Sequence, residues 1–586
     1  MDTVGSGCMS CSIPGMEDAG CIFLFGYNPA DSHPIVARRI VRAKEKGCKI
    51  IVADPRHIET ARIADLYLPI KNGCNVAFLN AFANCLVNDG LYDKEFVAEH
   101  TNGFDEWWET IKNYTPESVQ DITGVEPALI HQAAEMYATA KPSAIIGWGM
   151  GVCQQKQNLK TVHTIASIAC VAGQIGKPNS GLAPVRGQNN VQGSCDMGML
   201  PNLYPGYQKV TDPAVRAKFA KAWGVPEEKL PLEEGYKLTD LGHLVDEGKV
   251  HCFYNYGEDP VQTEPDSAGM RKTLSELDLF ICQDIFMTQT TMLADVILPA
   301  TSWGEHEGVF TASFDAAVPP KGECRHDWEI FADLSTRMGY PMHYDNTEQI
   351  WNECISLCPN FVGATYEKMA PEGGYAQWPV KSTDVNDHGT PDMFAGGKFT
   401  TKDGRANLMA HDWEAPSELP DDEYPLILCT VREVGHYSCR SMTGNCKTLA
   451  LLADEPGFVR MNPADAQARG IKNGDIVSIH SRRGQVYSRA DVSDRINKGT
   501  VYMTYQWWIG KCNELTIHKV DPVSHTPEDK FSACQVDAIA DQVWAEGEVE
   551  RQYTELKQAL VDAAAPQDVE PGAAKFDDET HVNQIV

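Results

Sequence analysis

Three groups of residues in the 586-residue chain are of types and spacings that could do chemistry. The first is a thiol pair. Residues 5–15 read GSGCMSCSIPG, so Cys8 and Cys11 stand in C-x-x-C spacing, which suits a metal, an iron–sulfur cluster or a redox dithiol. A cluster needs four ligands at organised spacing, yet the next cysteine, Cys21, heads the apolar run CIFLF and is needed for a strand, so the pair is read as no site. The second group is Asn28, Asp54, Asp259 and Asp284, each just past an apolar run. An acceptor there suits the N–H groups of a guanine or the hydroxyls of a ribose, and it could equally cap the helix that follows. The third group is cationic. PVRGQNNVQGSCDMG (184–198) is rich in glycine and amides and reads as a loop pressed on a polar ligand, with Arg186 able to grip a carboxylate with two parallel hydrogen bonds. VREVGHYSCRSMTGN (431–445) likewise gathers Arg432, His436, Tyr437, Ser438 and Arg440 at a strand end.

The elements that must position these groups occur twice. CIFLF (21–25) ends in the turn GYNP, Pro34 opens a helix to about Lys46, KIIVA (49–53) ends in DPR, and ADLYLPI ends in KNG. This is strand, loop, helix, strand, loop, strand, a parallel sheet whose ligand crevice lies at the strand carboxyl ends. HCFYNYGEDP (251–260), LFICQDIFMT (279–288) and ADVILPAT (294–301) repeat the pattern. Asp54 and Asp65 are 11 residues apart, as are Asp284 and Asp295; Leu-Pro follows each second aspartate at the same offset, and Thr60 and Thr290 precede it by five. Two copies of a nucleotide-type half-domain imply two similar ligands, or one ligand with two similar ends. Neither copy has the G-x-G-x-x-G loop that holds a pyrophosphate in NAD-binding sheets.

After about residue 424 the pattern changes. FVRMNPADAQARGIKNGDIVSIHSRRGQVYSRADVS alternates apolar and polar residues between glycine turns, which predicts a compact β-barrel. The fold class expected is therefore α/β, with two related doubly wound parallel-sheet domains and a C-terminal β-barrel.

Composition narrows the function. The formal net charge of −31 makes nucleic acid and acidic lipid poor partners, so an anionic ligand must be caught by local cations. No apolar run is long enough to span a membrane, and MDTVGSG is no export signal. The 19 cysteines read as reduced thiols of a cytoplasmic protein, most of them small buried hydrophobes inside strand-like runs, such as Cys21, Cys48, Cys252 and Cys282.

Taken in order from about residue 3 to 540, GYNPADSHP, ADPRHIETARIAD, GWGMGV, PVRGQNNVQGSCDMG, GEDP, ILPATSWGEHEGVFT, VREVGHYSCRSMTGN and MTYQWWIGKCNEL resemble the catalytic (alpha) subunit of molybdenum- or tungsten-dependent formate dehydrogenases, of the kind found in formate hydrogenlyase. The resemblance implies one metal held between two molybdopterin guanine dinucleotides, which accounts for the repeat, and interconversion of formate and carbon dioxide. It implies that Arg186 orients formate, with Gln188 and Met150 lining the same cavity. Gly26, Tyr27, Asn28, Asp54, Arg56 and Lys71 would contact one dinucleotide, and Gly257, Asp259, Asp284 and Thr288 the other. Arg432, Glu433, His436, Tyr437, Ser438, Asn513 and Lys530 would contact pterin and phosphate from the barrel side. His436 also has a plainer reading, a hydrogen bonder at a strand end. The barrel is of double-psi type by the same resemblance.

The domain boundaries expected are a remnant of the active-site loop region at 1–20, a first pterin-dinucleotide domain at 21–180, a second with the active-site loop at 181–420, the barrel at 421–555, and an acidic tail, a helix end running into disorder, at 556–586. Partners implied are iron–sulfur electron-transfer subunits, with a hydrogenase or a ferredoxin- or NAD-linked module beyond them. Two other readings stay open: another bis-pterin oxidoreductase such as an assimilatory nitrate reductase, or a non-catalytic pterin-fold subunit serving structure.

In the family the [4Fe-4S] cysteine motif and the selenocysteine or cysteine that ligates the metal lie upstream of the segment that GSGCMSCSIPG resembles. The resemblance therefore assigns no metal ligand within this chain and places the cluster in an N-terminal domain or a partner. The expectation is an in-frame UGA codon just upstream of Met1, read as a stop, with a cluster-type cysteine motif before it; a split enzyme or a shortened chain are the alternatives.

Overall fold

The structure is a computed structural model that describes residues 1–309, 313–314, 316–370 and 376–564. These form two compact units. The first contains residues 1–187, 391–437 and 452–546, and the second contains 188–390, 438–451 and the chain from Gly547.

The first unit is built on a five-stranded sheet of β1 (Cys21–Phe25), β2 (Lys49–Ala53), β3 (Leu66–Leu68), β4 (Ala144–Trp148) and β5 (Gly181–Pro184), ordered β3-β2-β1-β4-β5 and parallel throughout. All five residues of CIFLF and of AIIGW (144–148) are buried, the continuous apolar run demanded of a parallel strand covered on both faces. Phe23 stacks on Phe82, and Phe25 on Phe78, with ring centroids 5.4 and 5.6 Å apart. Strands β1 and β2 are joined through α1 (Pro29–Ser32) and α2 (Pro34–Glu45). Pro34 starts α2 where a helix leaves an N–H unused anyway, and Val36, Ile40 and Ala43 form its buried stripe. The helix α3 (Met150–Cys153) follows β4. The order reverses between β1 and β4, which makes their carboxyl ends the topological switch point.

The second unit carries the shorter copy: β6 (Cys252–Tyr256), β7 (Leu279–Asp284) and β8 (Val296–Pro299), parallel, in the order β8-β7-β6. This matches β3-β2-β1, and the detail matches too. Gly26 and Gly257 both have left-handed backbones (φ 55° and 61°), and their N–H groups donate to Ala53 and Gln283, each at 2.9 Å. Cys252 corrects one expectation: it is exposed rather than buried, because it opens β6, which among the described residues is an edge strand with a neighbour on one side only.

The barrel belongs to the first unit. Strands β9 (Leu426–Val431), β10 (Phe458–Met461), β11 (Ile476–His480), β12 (Gln485–Val492), β13 (Thr500–Thr504) and β14 (Ser532–Ala538) close in the order β9-β13-β10-β12-β11-β14. The pairs β9/β13 and β10/β12 are parallel, the others antiparallel. Closure leaves no free edge, and Leu428, Val459, Val477, Ile479, Val501 and Val536 fill the interior with no exposure. The second unit starts at Gln188 rather than 181, since Gly181–Pro184 completes the first sheet. A helix runs from Gln542 to Ala564, and the part of the expected tail at 565–586 lies outside the described residues.

Candidate active site

In the first unit a cleft opens at the carboxyl ends of the parallel strands and is lined on its other side by the end of β9. Its wall takes Gly26, Tyr27 and Asn28 from β1, Asp54 and Arg56 from β2, Lys71 after β3, Met150 and Gly151 after β4, Gly187 after β5, and Arg432 and Lys530 from the barrel. The sequence-predicted residues of the first dinucleotide thus come together in one place, with Met150, Arg432 and Lys530 beside them.

Glycine is required at the switch point. A Cβ on Gly151 would stand 2.5 Å from the Gly26 carbonyl oxygen, and one on Gly149 would stand 2.9 Å from the Tyr27 ring. The Gly151 N–H donates to Gly26 at 3.2 Å, so two backbones meet where a ligand can approach both.

Four cations face the cleft. The Arg56 guanidinium lies 5.3 Å from the Tyr502 ring centroid, Arg432 lies 5.4 Å from that of Tyr505 and donates Nε–H to its hydroxyl, and Lys71 Nζ donates to the Asp121 carbonyl at 2.9 Å. Lys530 is 9% exposed and donates to Thr430 O and Oγ1 at 2.7 and 2.9 Å, with burial lowering its pKa. Burial raises the pKa of Asp54, whose carboxylate accepts the Arg56 N–H at 2.9 Å, and it pushes Asp529 up to about 6.

These residues fit a guanine dinucleotide carrying pyrophosphate. The Tyr27 hydroxyl, Asn28 Oδ1 and Asp529 Oδ1 are shut from water with no hydrogen-bond partner, and each such group costs about 1–3 kcal/mol while it stays so. Arginine and lysine supply the charge-assisted donors that phosphate takes. Glycine backbone and cations of this kind would hold phosphates without a G-x-G-x-x-G loop.

Arg186 and Gly187 follow β5. The ladder ends with Val185 N–H donating to Trp148 at 3.1 Å; beyond it, His33 Nε2 lies 2.6 Å from the Arg186 carbonyl oxygen and 3.1 Å from that of Gly187. The Arg186 charge is felt at Cys153 in α3, whose thiol burial pushes up to about 11 and Arg186 pulls back.

Within the second unit, Asp259 accepts Thr290 Oγ1–H at 2.6 Å and the Thr290 N–H at 3.3 Å. Asp284 accepts the N–H groups of Ile285 and Phe286 at 2.6 and 3.2 Å, and burial raises it to about 6. Thr288 is buried and bonded to Thr291. Gln188 Nε2 donates to Ser438 Oγ at 3.1 Å, so these two predicted residues do meet.

Besides Arg186, four predicted residues of the first unit stand off the cleft wall. Glu433 pairs with Arg460 at 3.0 Å and lies 3.9 Å from Arg56. His436 Nε2 is 2.6 Å from the Ala453 carbonyl and its ring meets Trp507 edge-on at 4.8 Å, the strand-end bonding weighed for it. Tyr437 is 40% exposed, and Asn513 is buried. Cys11 is wholly buried, and burial raises its thiol to about 12. Sequence reasoning missed His33, Tyr502 and Gln506. His33 lies inside GYNPADSHP but reads as a helix-start residue, while Tyr502 and Gln506 read as parts of a barrel strand and its exit.

Residues 1–337 match the molybdopterin oxidoreductase family, and residues 426–533 match the molydopterin dinucleotide binding domain. The chain is 54% identical over 568 residues to formate dehydrogenase H of Escherichia coli, covering 96% of this chain and 79% of that protein. It is 40% identical over 543 residues to the F420-dependent formate dehydrogenase 1 subunit alpha of Methanococcus maripaludis, covering 91% and 79%. Among solved structures, acetylene hydratase from Pelobacter acetylenicus shares the fold, with a TM-score of 0.70 at 20% identity over 90% of this chain and 81% of that one. Duplicated half-domain, glycine-lined cleft, closed barrel and close relatives agree: the chain belongs to the molybdopterin oxidoreductase family, among the formate dehydrogenase alpha subunits.

Proposed function

We infer that this chain is the major part of a catalytic subunit that interconverts formate and carbon dioxide at a molybdenum or tungsten bis-molybdopterin guanine dinucleotide centre. The observation that carries the reading is the placement, in one unit, of a glycine- and cation-lined cleft beside the strand end that Arg186 follows. When bound, the metal centre supplies an acceptor for the two electrons that leave formate as it becomes carbon dioxide and a proton. The chain's own residues seat the cofactor and orient the anion. Arg186 offers a planar fork of N–H donors to the formate carboxylate, and Gln188 and Met150 complete its surroundings. Gly26, Tyr27, Asn28, Asp54, Arg56 and Lys71 hold one dinucleotide, and Gly257, Asp259, Asp284 and Thr288 hold the other. Arg432, Glu433, His436, Tyr437, Ser438, Asn513 and Lys530 serve pterin and phosphate from the barrel side.

Electrons must then leave through iron–sulfur centres, so the partner is an iron–sulfur electron-transfer subunit that passes them to a hydrogenase or to a ferredoxin- or NAD-linked module. Among the described residues no helix is long and apolar enough to cross a membrane. We place the enzyme in the cytoplasm, consistent with its many thiols. The test is purification of the native complex with metal, pterin and iron analysis beside formate-dependent reduction of a dye. Metal, pterin and turnover are expected together; pterin without formate turnover would redirect the reading to another substrate.

A further inference from the structure

We propose that His33 is the positioning residue for Arg186, holding the backbone of the substrate loop through its Nε2–H. The proposal rests on the formate reading for what Arg186 grips, but its structural half stands alone. His33 joins α1 to α2, and its own backbone is fixed at both ends: its N–H donates to the Pro29 carbonyl at 2.8 Å, and its carbonyl accepts the Ala37 N–H at 2.9 Å. The ring packs edge-on against Tyr27, with centroids 5.5 Å apart. From this seat Nε2 reaches across 153 residues of sequence to the Arg186 carbonyl and also meets that of Gly187.

The chemistry fixes the ring's state. Both partners are carbonyl oxygens, which only accept, so Nε2 carries the hydrogen. Burial lowers the pKa, which keeps the ring neutral with its lone pair on Nδ1. The loop needs such a tie. The ladder of β5 ends at Val185, and a Cβ placed on Gly187 would meet nothing within 4 Å, so side-chain packing does not pin the chain there. This bifurcated donor ties the point at which the backbone leaves the sheet, and with it the root of the Arg186 side chain. His33 touches no reacting atom in this account; it acts through Arg186.

The test uses the cofactor-loaded complex with His33→Ala and His33→Gln, the glutamine placing an N–H near the original Nε2. His33→Ala is expected to raise the KM for formate about tenfold, the worth of one lost hydrogen bond, with kcat changed less than about threefold and metal and pterin content as in the parent. Hydrogen–deuterium exchange of residues 185–190 should rise in His33→Ala, and His33→Gln should return both exchange and KM toward the parent. Unchanged exchange or unchanged KM in His33→Ala overturns the proposal. So does a His33→Gln as impaired as His33→Ala, or loss of cofactor in step with activity, which would move His33 to the cofactor seat. If the parent itself turns over no formate, the substrate reading fails while exchange still decides whether His33 holds the loop.

Discussion

Asp65 and Ile50 are tied twice: the Asp65 carboxylate accepts the Ile50 N–H at 2.9 Å, and the Ile50 carbonyl accepts the Asp65 N–H at 2.8 Å. The same double tie joins Asp295 to Phe280, at 2.7 and 2.8 Å. Fifteen residues separate the partners in each copy, so the aspartates that mark the sequence repeat are structural clamps on the loop between two strands. Asp65 also pairs with Lys44 and Lys49 at 2.5 and 3.1 Å, but exposed pairs contribute little. We expect Asp65→Ala and Asp295→Ala to lose similar stability, about 1 kcal/mol each, without change in activity per bound cofactor. Thermal unfolding checks this; a much larger loss for Asp65→Ala would give the lysines the leading part.

Replacing Arg186 with lysine keeps the charge and removes the planar fork. Formate turnover should fall by about ten- to a hundredfold with metal and pterin content unchanged. Normal formate kinetics would remove Arg186 from the substrate site, and a loss of cofactor would assign it to binding.

The sheets and barrel were legible because their signals are local. CIFLF and the IIVA that follows Lys49 are unbroken apolar runs, and the alternation across residues 476–492 marks barrel strands. The repeat was legible because Asp65 and Asp295 do the same backbone work at the same spacing. What stayed hidden depends on long-range closure. Nothing near His33 says that its ring will meet a carbonyl 153 residues away, and Tyr502 looks like one more barrel residue until Arg56 lies on its ring. Cys252 was misread because an edge strand and a central strand share the same apolar residues and differ only in neighbours.

Arg56 couples the sheet to the barrel: its guanidinium covers Tyr502, whose hydroxyl donates to Asn72 Oδ1 at 3.2 Å. Such a contact contributes about 0.5–2 kcal/mol when desolvated. Arg56→Lys should lower the metal and pterin retained on purification by about threefold to tenfold while leaving the formate KM of the loaded fraction unchanged. A raised KM at full cofactor content would contradict a cofactor-seating role.

Asp529 gives the cofactor-free protein a pH dependence. It is 3% exposed, its Oδ2 accepts from Gln154 at 2.5 Å, and burial outweighs the pull of Lys530 and Arg432 to raise its pKa from 3.8 to about 6. The folded state therefore holds this proton more tightly than the unfolded state. The penalty is absent below the unfolded value, grows as pH rises between about 4 and 6, and is complete above that, at up to about 3 kcal/mol. Asp529→Asn should stabilise the cofactor-free protein at pH 7.5 and have little effect at pH 4.5. Denaturation at both pH values decides; an effect independent of pH would mean that the carboxylate does not titrate in this window.

Gln506 organises the loop that carries Arg432 and Glu433. Its side chain is 1% exposed and uses both ends of the carboxamide: Oε1 accepts the Glu433 N–H at 2.6 Å and the Thr504 hydroxyl at 3.0 Å, while Nε2 donates to the Glu433 carbonyl at 3.1 Å and to the His436 carbonyl. Gln506→Glu has the same shape but replaces a donor with an acceptor, so at neutral pH a buried carboxylate oxygen would face two carbonyl oxygens. The loss should be about 2–4 kcal/mol, with the loop displaced and cofactor retention reduced. Because a protonated carboxyl can donate one hydrogen bond, part of the stability should return near pH 5, whereas Gln506→Ala should show no such recovery. Equal pH behaviour of the two variants, or normal cofactor content in Gln506→Glu at pH 7.5, would show that the loop is held by something other than this side chain.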